Sequence, residues 1–195
     1  NPVFSVNKNG DLIETKTGKM VAFRSKVIDP ALKVAPASAF SGEQIKSIVI
    51  PEGIVAIGSD AFRHCSLLKE VKLPSTLRTI GVNAFLGCVS LKEIVIPEGV
   101  KVIPPFMLAN CSKLEKVVLP EGLLAIDIEA FSNDQLLKDI NIPHSVTKID
   151  KHAFKYCYGI KDLYLSENAK KVHKKAFYGC SYSLESIKVN PANRV

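Results

Sequence analysis

The sequence predicts a β-rich repeat solenoid, a curved stack of about seven coils of 23 residues with short parallel strands. Three observations carry that prediction. The five cysteines stand at 65, 88, 111, 157 and 180, with gaps of 23, 23, 46 and 23, and Asp134 holds the skipped place. Three residues before these six places come Phe62, Phe85, Leu108, Phe131, Phe154 and Phe177, most of them preceded by Ala. Aliphatic pairs two residues apart recur at the same period, and prolines 74, 97, 120 and 143 close four of them.

Composition agrees with a foldable chain. Of 195 residues, 47% are hydrophobic and 23% charged, enough apolar surface to offset the entropy of ordering. No run approaches the 18 or so apolar residues of a membrane-spanning helix.

Each position within a coil has a physical role. In Leu91-x-x-Ile94-x-Ile96-Pro97 the apolar residues alternate, which reads as a short strand with one face inward. Pro97 has no N–H for a ladder and ends it. Glu98-Gly99 turns the chain, and Val100-x-x-Ile103 forms a second inward-facing stretch. Ala84-Phe85-x-x-Cys88 is then the returning corner, predicted as a helical or 3₁₀ turn, with Ala permitting close approach and Phe filling the interior. One coil cannot cover its own apolar faces, so coils must stack. Phe40, Ile45, Ile48, Ile50 and Pro51 fit the same frame after one deletion, and the last coil carries one extra residue before Leu184.

The period holds over residues 28–190. Residues 1–27 break it; Asn9-Gly10 and Thr17-Gly18 between short β-like runs predict an irregular, hairpin-rich starting coil. Residues 191–195 read as the start of a further, truncated segment, so the chain is expected to be a piece of a longer array.

The phrase A-F-x-x-C-x-x-L-x-x-I-x-I-P-x-x-V-x-x-I resembles the BspA-like leucine-rich repeats of mostly bacterial surface proteins. The departures are Asp134 for Cys, Met107-Leu108 for Ala-Phe, and Ser166 and Asn190 for Pro. The resemblance implies a right-handed, curved solenoid of the α/β leucine-rich-repeat type. It also implies an extracellular or cell-surface setting and a role in adhesion or partner binding.

Nothing in the sequence points to catalysis. The cysteines share one inward position among Phe and Leu, where parallel side chains suit neither disulfides nor a convergent metal site. They read as structural thiols. His64, His144, His152 and His173 form no metal-binding spacing, and His152 points outward where Cys157 points inward, which separates that pair. No phosphate-binding glycine motif occurs. No catalytic residue, metal site or cofactor is assigned.

Binding surfaces are the remaining candidates. The outward strand position reads Val49, Lys72, Val95, Val118, Asn141, Tyr164, Lys188, exposing apolar area on a sheet. Valines are also good strand formers, which would account for three of the seven without any ligand. Two charged columns flank this row: Lys46, Lys69, Lys92, Glu115, Lys138, Lys161, Glu185, and Ser47, Glu70, Glu93, Lys116, Asp139, Asp162, Ser186. Complementary columns of this kind serve solubility and register. The net charge of +7 is uneven, since residues 151–195 hold nine Lys/Arg against three Asp/Glu. There Lys170, Lys171, His173, Lys174 and Lys175 form an edge suited to an anion, or simply a solvated edge that discourages aggregation. It lacks the interleaved aromatics and arginines of a nucleic-acid reader. The expectation is a non-enzymatic, monomeric surface or secreted segment that binds a protein or glycan through a rigid sheet. The alternative is a spacer within a larger surface protein.

Overall fold

The computed structural model describes residues 4–6, 12–14, 20–22, 28, 32–180 and 183–189. Strands β1 (Phe4–Val6), β2 (Leu12–Glu14) and β3 (Met20–Ala22) form an antiparallel three-stranded sheet. The Asn9-Gly10 and Thr17-Gly18 turns and residues 191–195 lie outside the described residues.

From residue 32 onward the chain is a parallel-strand β-solenoid of about seven turns, each placing one short strand on each of two faces. In chain order these are β4 (Val34–Ala35) and β5 (Ser47–Val49), β6 (Ala56–Ile57) and β7 (Glu70–Lys72), β8 (Thr79–Ile80) and β9 (Glu93–Val95). There follow β10 (Val102–Ile103) and β11 (Lys116–Val118), β12 (Ala125–Ile126) and β13 (Asp139–Ile140), β14 (Lys148–Ile149) and β15 (Asp162–Leu165). The series ends with β16 (Lys171–Val172) and β17 (Ser186–Val189). The odd-numbered strands from β5 make the first face, paired β5–β7, β9–β11–β13 and β15–β17. The even-numbered strands make the second, paired β4–β6–β8 and β10–β12–β14–β16. Register follows the sequence period: Val117 lies between Ile94 and Ile140. Leu163 meets Ile187, where the extra residue is absorbed.

Of the helical or 3₁₀ turn expected at the corner, the structure keeps the i to i+3 hydrogen bonds, as from Arg63 N–H to Asp60 O at 3.1 Å and Cys65 N–H to Phe62 O at 3.2 Å. No helix occurs among the described residues. The corner is also a third hydrogen-bonded ladder. Phe62, Phe85, Leu108, Phe131 and Phe154 each donate their N–H to the residue before the next coil's aromatic or Leu, at 2.8–2.9 Å. The N–H groups two residues to either side do the same, as in Asp60 to Val82 O and His64 to Leu86 O. Left-handed backbone at alternate places aims all three donors one way: φ is +58° at Asp60, +57° at His64, +59° at Asn83 and +62° at Asn110. Asn, Asp and His tolerate that region best, which is why they recur here.

The interior is a set of columns. Phe40, Phe62 and Phe85 stack with centroids 5.1–5.2 Å apart, and Phe131, Phe154 and Phe177 continue at 5.1–5.3 Å after the interruption at Leu108. Each cysteine Sγ–H donates to a carbonyl of the coil before it: Cys65 to Phe40 O (2.9 Å), Cys88 to Phe62 O (3.2 Å), Cys111 to Phe85 O (3.3 Å), Cys157 to Phe131 O and Cys180 to Phe154 O (both 2.9 Å). A buried thiol here is a small apolar filler that also satisfies a buried acceptor.

Candidate functional site

The first face carries the outward row. Val49 is 65% exposed and Val95 52%, and Val118 and Tyr164 are also exposed. Pairing sets Val49 beside Lys72, Val95 beside Val118, and Tyr164 beside Lys188, whose Nζ lies 5.6 Å from the Tyr164 ring centre. Asn141 is exposed just past β13. The row is therefore three short patches, because the ladder is interrupted between β7 and β9 and between β13 and β15.

Charge accounts for both interruptions. Going from β7 to β9, Lys69 stacks on Lys92 and Glu70 on Glu93; going from β13 to β15, Lys138 stacks on Lys161 and Asp139 on Asp162. At every other step of this face at least one column changes its sign or goes neutral, and the strands pair. Like charges directly opposite are destabilising, opposite charges stabilising. The paired steps show it: Lys116 Nζ meets Glu93 at 3.3 Å and Lys138 Nζ meets Glu115 at 2.9 Å. The ion pairs thus run between coils, where the sequence reading set one column against its neighbour.

A cleft of about 660 Å³ opens at the first interruption, lined by Lys69, Glu70, Val71, Lys72, Lys92, Glu93, Val95 and Lys113 among others. Among the described residues none of its four lysines makes a close ion pair, although Glu115 feels the charge of Lys92, and Glu93 is engaged by Lys116. The second face opens at the same step, between β8 and β10. Gly58, Gly81, Asp127, Asp150 and His173 each donate an N–H to the preceding coil at 2.7–3.0 Å, and Pro104 occupies the equivalent place without a donor. Only the corner ladder closes this step fully, with Phe85 N–H to Met107 O at 2.9 Å.

The lysine edge divides in two. Lys170 and Lys171 line a cleft of about 380 Å³ with Leu124, Thr147, Lys148 and Asn168. Lys148 there is held by Asp127 and Asp150 at 3.1 and 3.0 Å, which raise its ammonium pKa above the usual value. His173, Lys174 and Lys175 belong to the next turn, where the Lys175 N–H donates to His173 Nδ1 at 3.0 Å.

Lys175 borders a cluster the sequence reading did not single out. Tyr156 and Tyr178 have ring centres 5.9 Å apart, Tyr156 and Tyr158 6.0 Å, and His152 and Tyr178 5.5 Å. Lys155 Nζ lies 5.1 Å from the Tyr156 ring centre, and His152 Nδ1 is 3.7 Å from Glu129. The signal was Tyr at 156, 158 and 178 around Cys157 and Cys180, which only coil stacking brings together.

The remaining reactive side chains are occupied. Burial raises the cysteine thiol pKa values, that of Cys65 to about 11 and those of Cys88, Cys111 and Cys157 further. His152 faces Glu129 and Tyr178, away from the Cys157–Phe131 bond. His144 Nδ1 is 2.8 Å from Ser166 Oγ and its Nε2 2.8 Å from Asn168 Nδ2. Ser166 is buried and its hydroxyl also accepts the Asn168 N–H, so this group braces a turn where other coils have proline. Among the described residues no group of three or more His, Cys, Asp or Glu is placed to hold a metal ion, and no helix is long and apolar enough to cross a membrane.

Comparison with known proteins defines the class. The model of the BspA type leucine rich repeat region matches residues 33–161 and 125–193 in six copies. The chain belongs to that family. Similar solved structures include a leucine-rich repeat protein of T. pallidum, 22% identical with a TM-score of 0.58, matched over 80% of this chain and 86% of that one. Another is a leucine-rich repeat protein of Eubacterium ventriosum, 24% identical with a TM-score of 0.64, over 80% of this chain and 50% of that one. At these identities the likeness is one of fold, and the chain spans about half the length of the second protein. No curated protein matches the chain.

Proposed function

We propose that this chain is a non-enzymatic, monomeric segment of a surface or secreted protein that binds a protein or glycan partner through its first face. The observation that carries this is the outward row itself. Val49, Val95, Val118 and Tyr164 are exposed on a stack of coils, and a cleft bordered by four lysines lies between two of its patches. Preorganised strands lose little entropy on binding, so exposed apolar and aromatic side chains convert efficiently into affinity. Membership of the BspA type leucine rich repeat family supports a surface setting. The test is binding of the purified chain to arrayed extracellular-matrix proteins and glycans at two salt concentrations. Val95→Lys together with Val118→Glu, which keeps the facing pair complementary, is expected to weaken first-face binding at least ten-fold while the chain stays folded. Reversing Lys170, Lys171, Lys174 and Lys175 would instead weaken binding at the lysine edge, and that binding would fall with salt. A folded chain that binds nothing on the array would favour the spacer reading, or a binding site in repeats outside this piece.

A further inference from the structure

We propose that Tyr156, Tyr158 and Tyr178, at the corner of the last two complete coils, form a platform for an acidic oligosaccharide. This site is separate from the first face and stands on its own observations.

The repeat's corner conformation carries the first of these rings: Tyr156, with φ of +59°, is left-handed like His64 (+57°), Asn110 (+62°) and Asn133 (+66°) at the same place in other coils. The ring it presents lies over Gly179 of the next coil, itself at φ +81°; a Cβ there would stand 2.2 Å from the Tyr156 ring. The solvent-exposed Tyr158 and Tyr178 rings lie 6.0 and 5.9 Å from it, tilted by 38° and 57°. The three rings form one cluster at the corner.

The chemistry of the cluster selects its ligand. A pyranose ring offers one apolar C–H face and a rim of hydroxyls, which matches aromatic faces edged by phenol oxygens and by the His152–Glu129 pair. Lysines supply the charge: Lys155 stands over Tyr156, while Lys151, Lys174 and Lys175 are exposed around the corner, against Glu129 as the carboxylate of the cluster. An acidic peptide would meet the same lysines, but it has little use for three neighbouring aromatic faces. A sugar acid uses both sets of groups.

The chain contains no Trp and five Tyr, three of them in the cluster, so tyrosine emission is dominated by the site. The experiment titrates the chain with a galacturonate tetrasaccharide, with galactotetraose as the neutral control and a polyglutamate peptide as the acidic one. The expected result is saturable change in tyrosine emission with the uronate alone, a loss of affinity of ten-fold or more in Tyr158→Ala and Tyr178→Ala, and retention in the Tyr→Phe variants. Lys155→Ala is expected to weaken binding and flatten its salt dependence. Uronate binding unchanged by both alanine variants overturns the proposal, as does stronger binding of polyglutamate than of the uronate. Melting temperatures within a degree or two of the parent show that the variants are folded.

Discussion

At the scale of single residues the repeat explains its own cysteines. Each thiol is buried and donates a hydrogen bond to a carbonyl one coil back, and burial holds the thiolate out of reach at neutral pH. The native chain is therefore expected to react with fewer than one equivalent of a thiol reagent at pH 8, and with five after denaturation. Asp134 is the informative exception. Its Oδ1 accepts the Cys111 N–H at 2.8 Å, while its Oδ2, wholly buried, makes no hydrogen bond. Desolvation raises its pKa well above the ordinary value, so the folded chain binds this proton more tightly than the unfolded chain does. That contribution to stability is full below about pH 4 and is lost as pH rises through the folded pKa. Urea unfolding of the parent and of Asp134→Asn should show the parent losing stability relative to the variant between pH 4 and pH 7. Asp134→Cys, which restores the repeat, is expected to gain about 1–3 kcal/mol at pH 7.

At the scale of the element, the strands and columns were legible in the sequence because period two and period 23 are both printed in the order of residues. Ile94 and Ile96, or Phe62 and Phe85, needed no structure to be placed. The corner was legible only as a helical or 3₁₀ turn, because i to i+3 turns and a short helix share the same small and apolar spacing; only φ at Asp60 or His64 separates them. The cleft was missed because it depends on a comparison between neighbouring coils: Lys69 and Lys92 are each ordinary alone and repel only when stacked. Lys69→Glu gives that column an opposite-charge pair with both Lys46 and Lys92. It is expected to raise stability by about 0.2–1 kcal/mol and to slow hydrogen exchange at the Lys92 amide as β7 and β9 join. The same closure removes the cleft, so binding that uses it should weaken in this variant although the fold is more stable.

At the scale of the molecule, stability in a stack is the sum of each coil and its contacts with its two neighbours. The step between residues 70–88 and 93–111 is the weakest contact in this array on three counts. Both strand ladders are open there, Pro104 withholds a donor, and Leu108 interrupts the phenylalanine column. The coils before it and those after it should consequently open as separate cooperative units. Hydrogen exchange across the chain is expected to resolve two groups of amides, residues 32–90 and 93–180, whose opening free energies differ by about 1 kcal/mol or more. Pro104→Asp supplies the N–H that Asp127 and Asp150 donate in later coils, and Met107→Ala with Leu108→Phe completes the aromatic column. The triple variant should merge the two groups into one and sharpen thermal unfolding. A parent chain whose amides already exchange as a single unit would show that the corner ladder alone, from Asn83 to Gly87, couples the two halves, and the open step would then be a feature of the surface only.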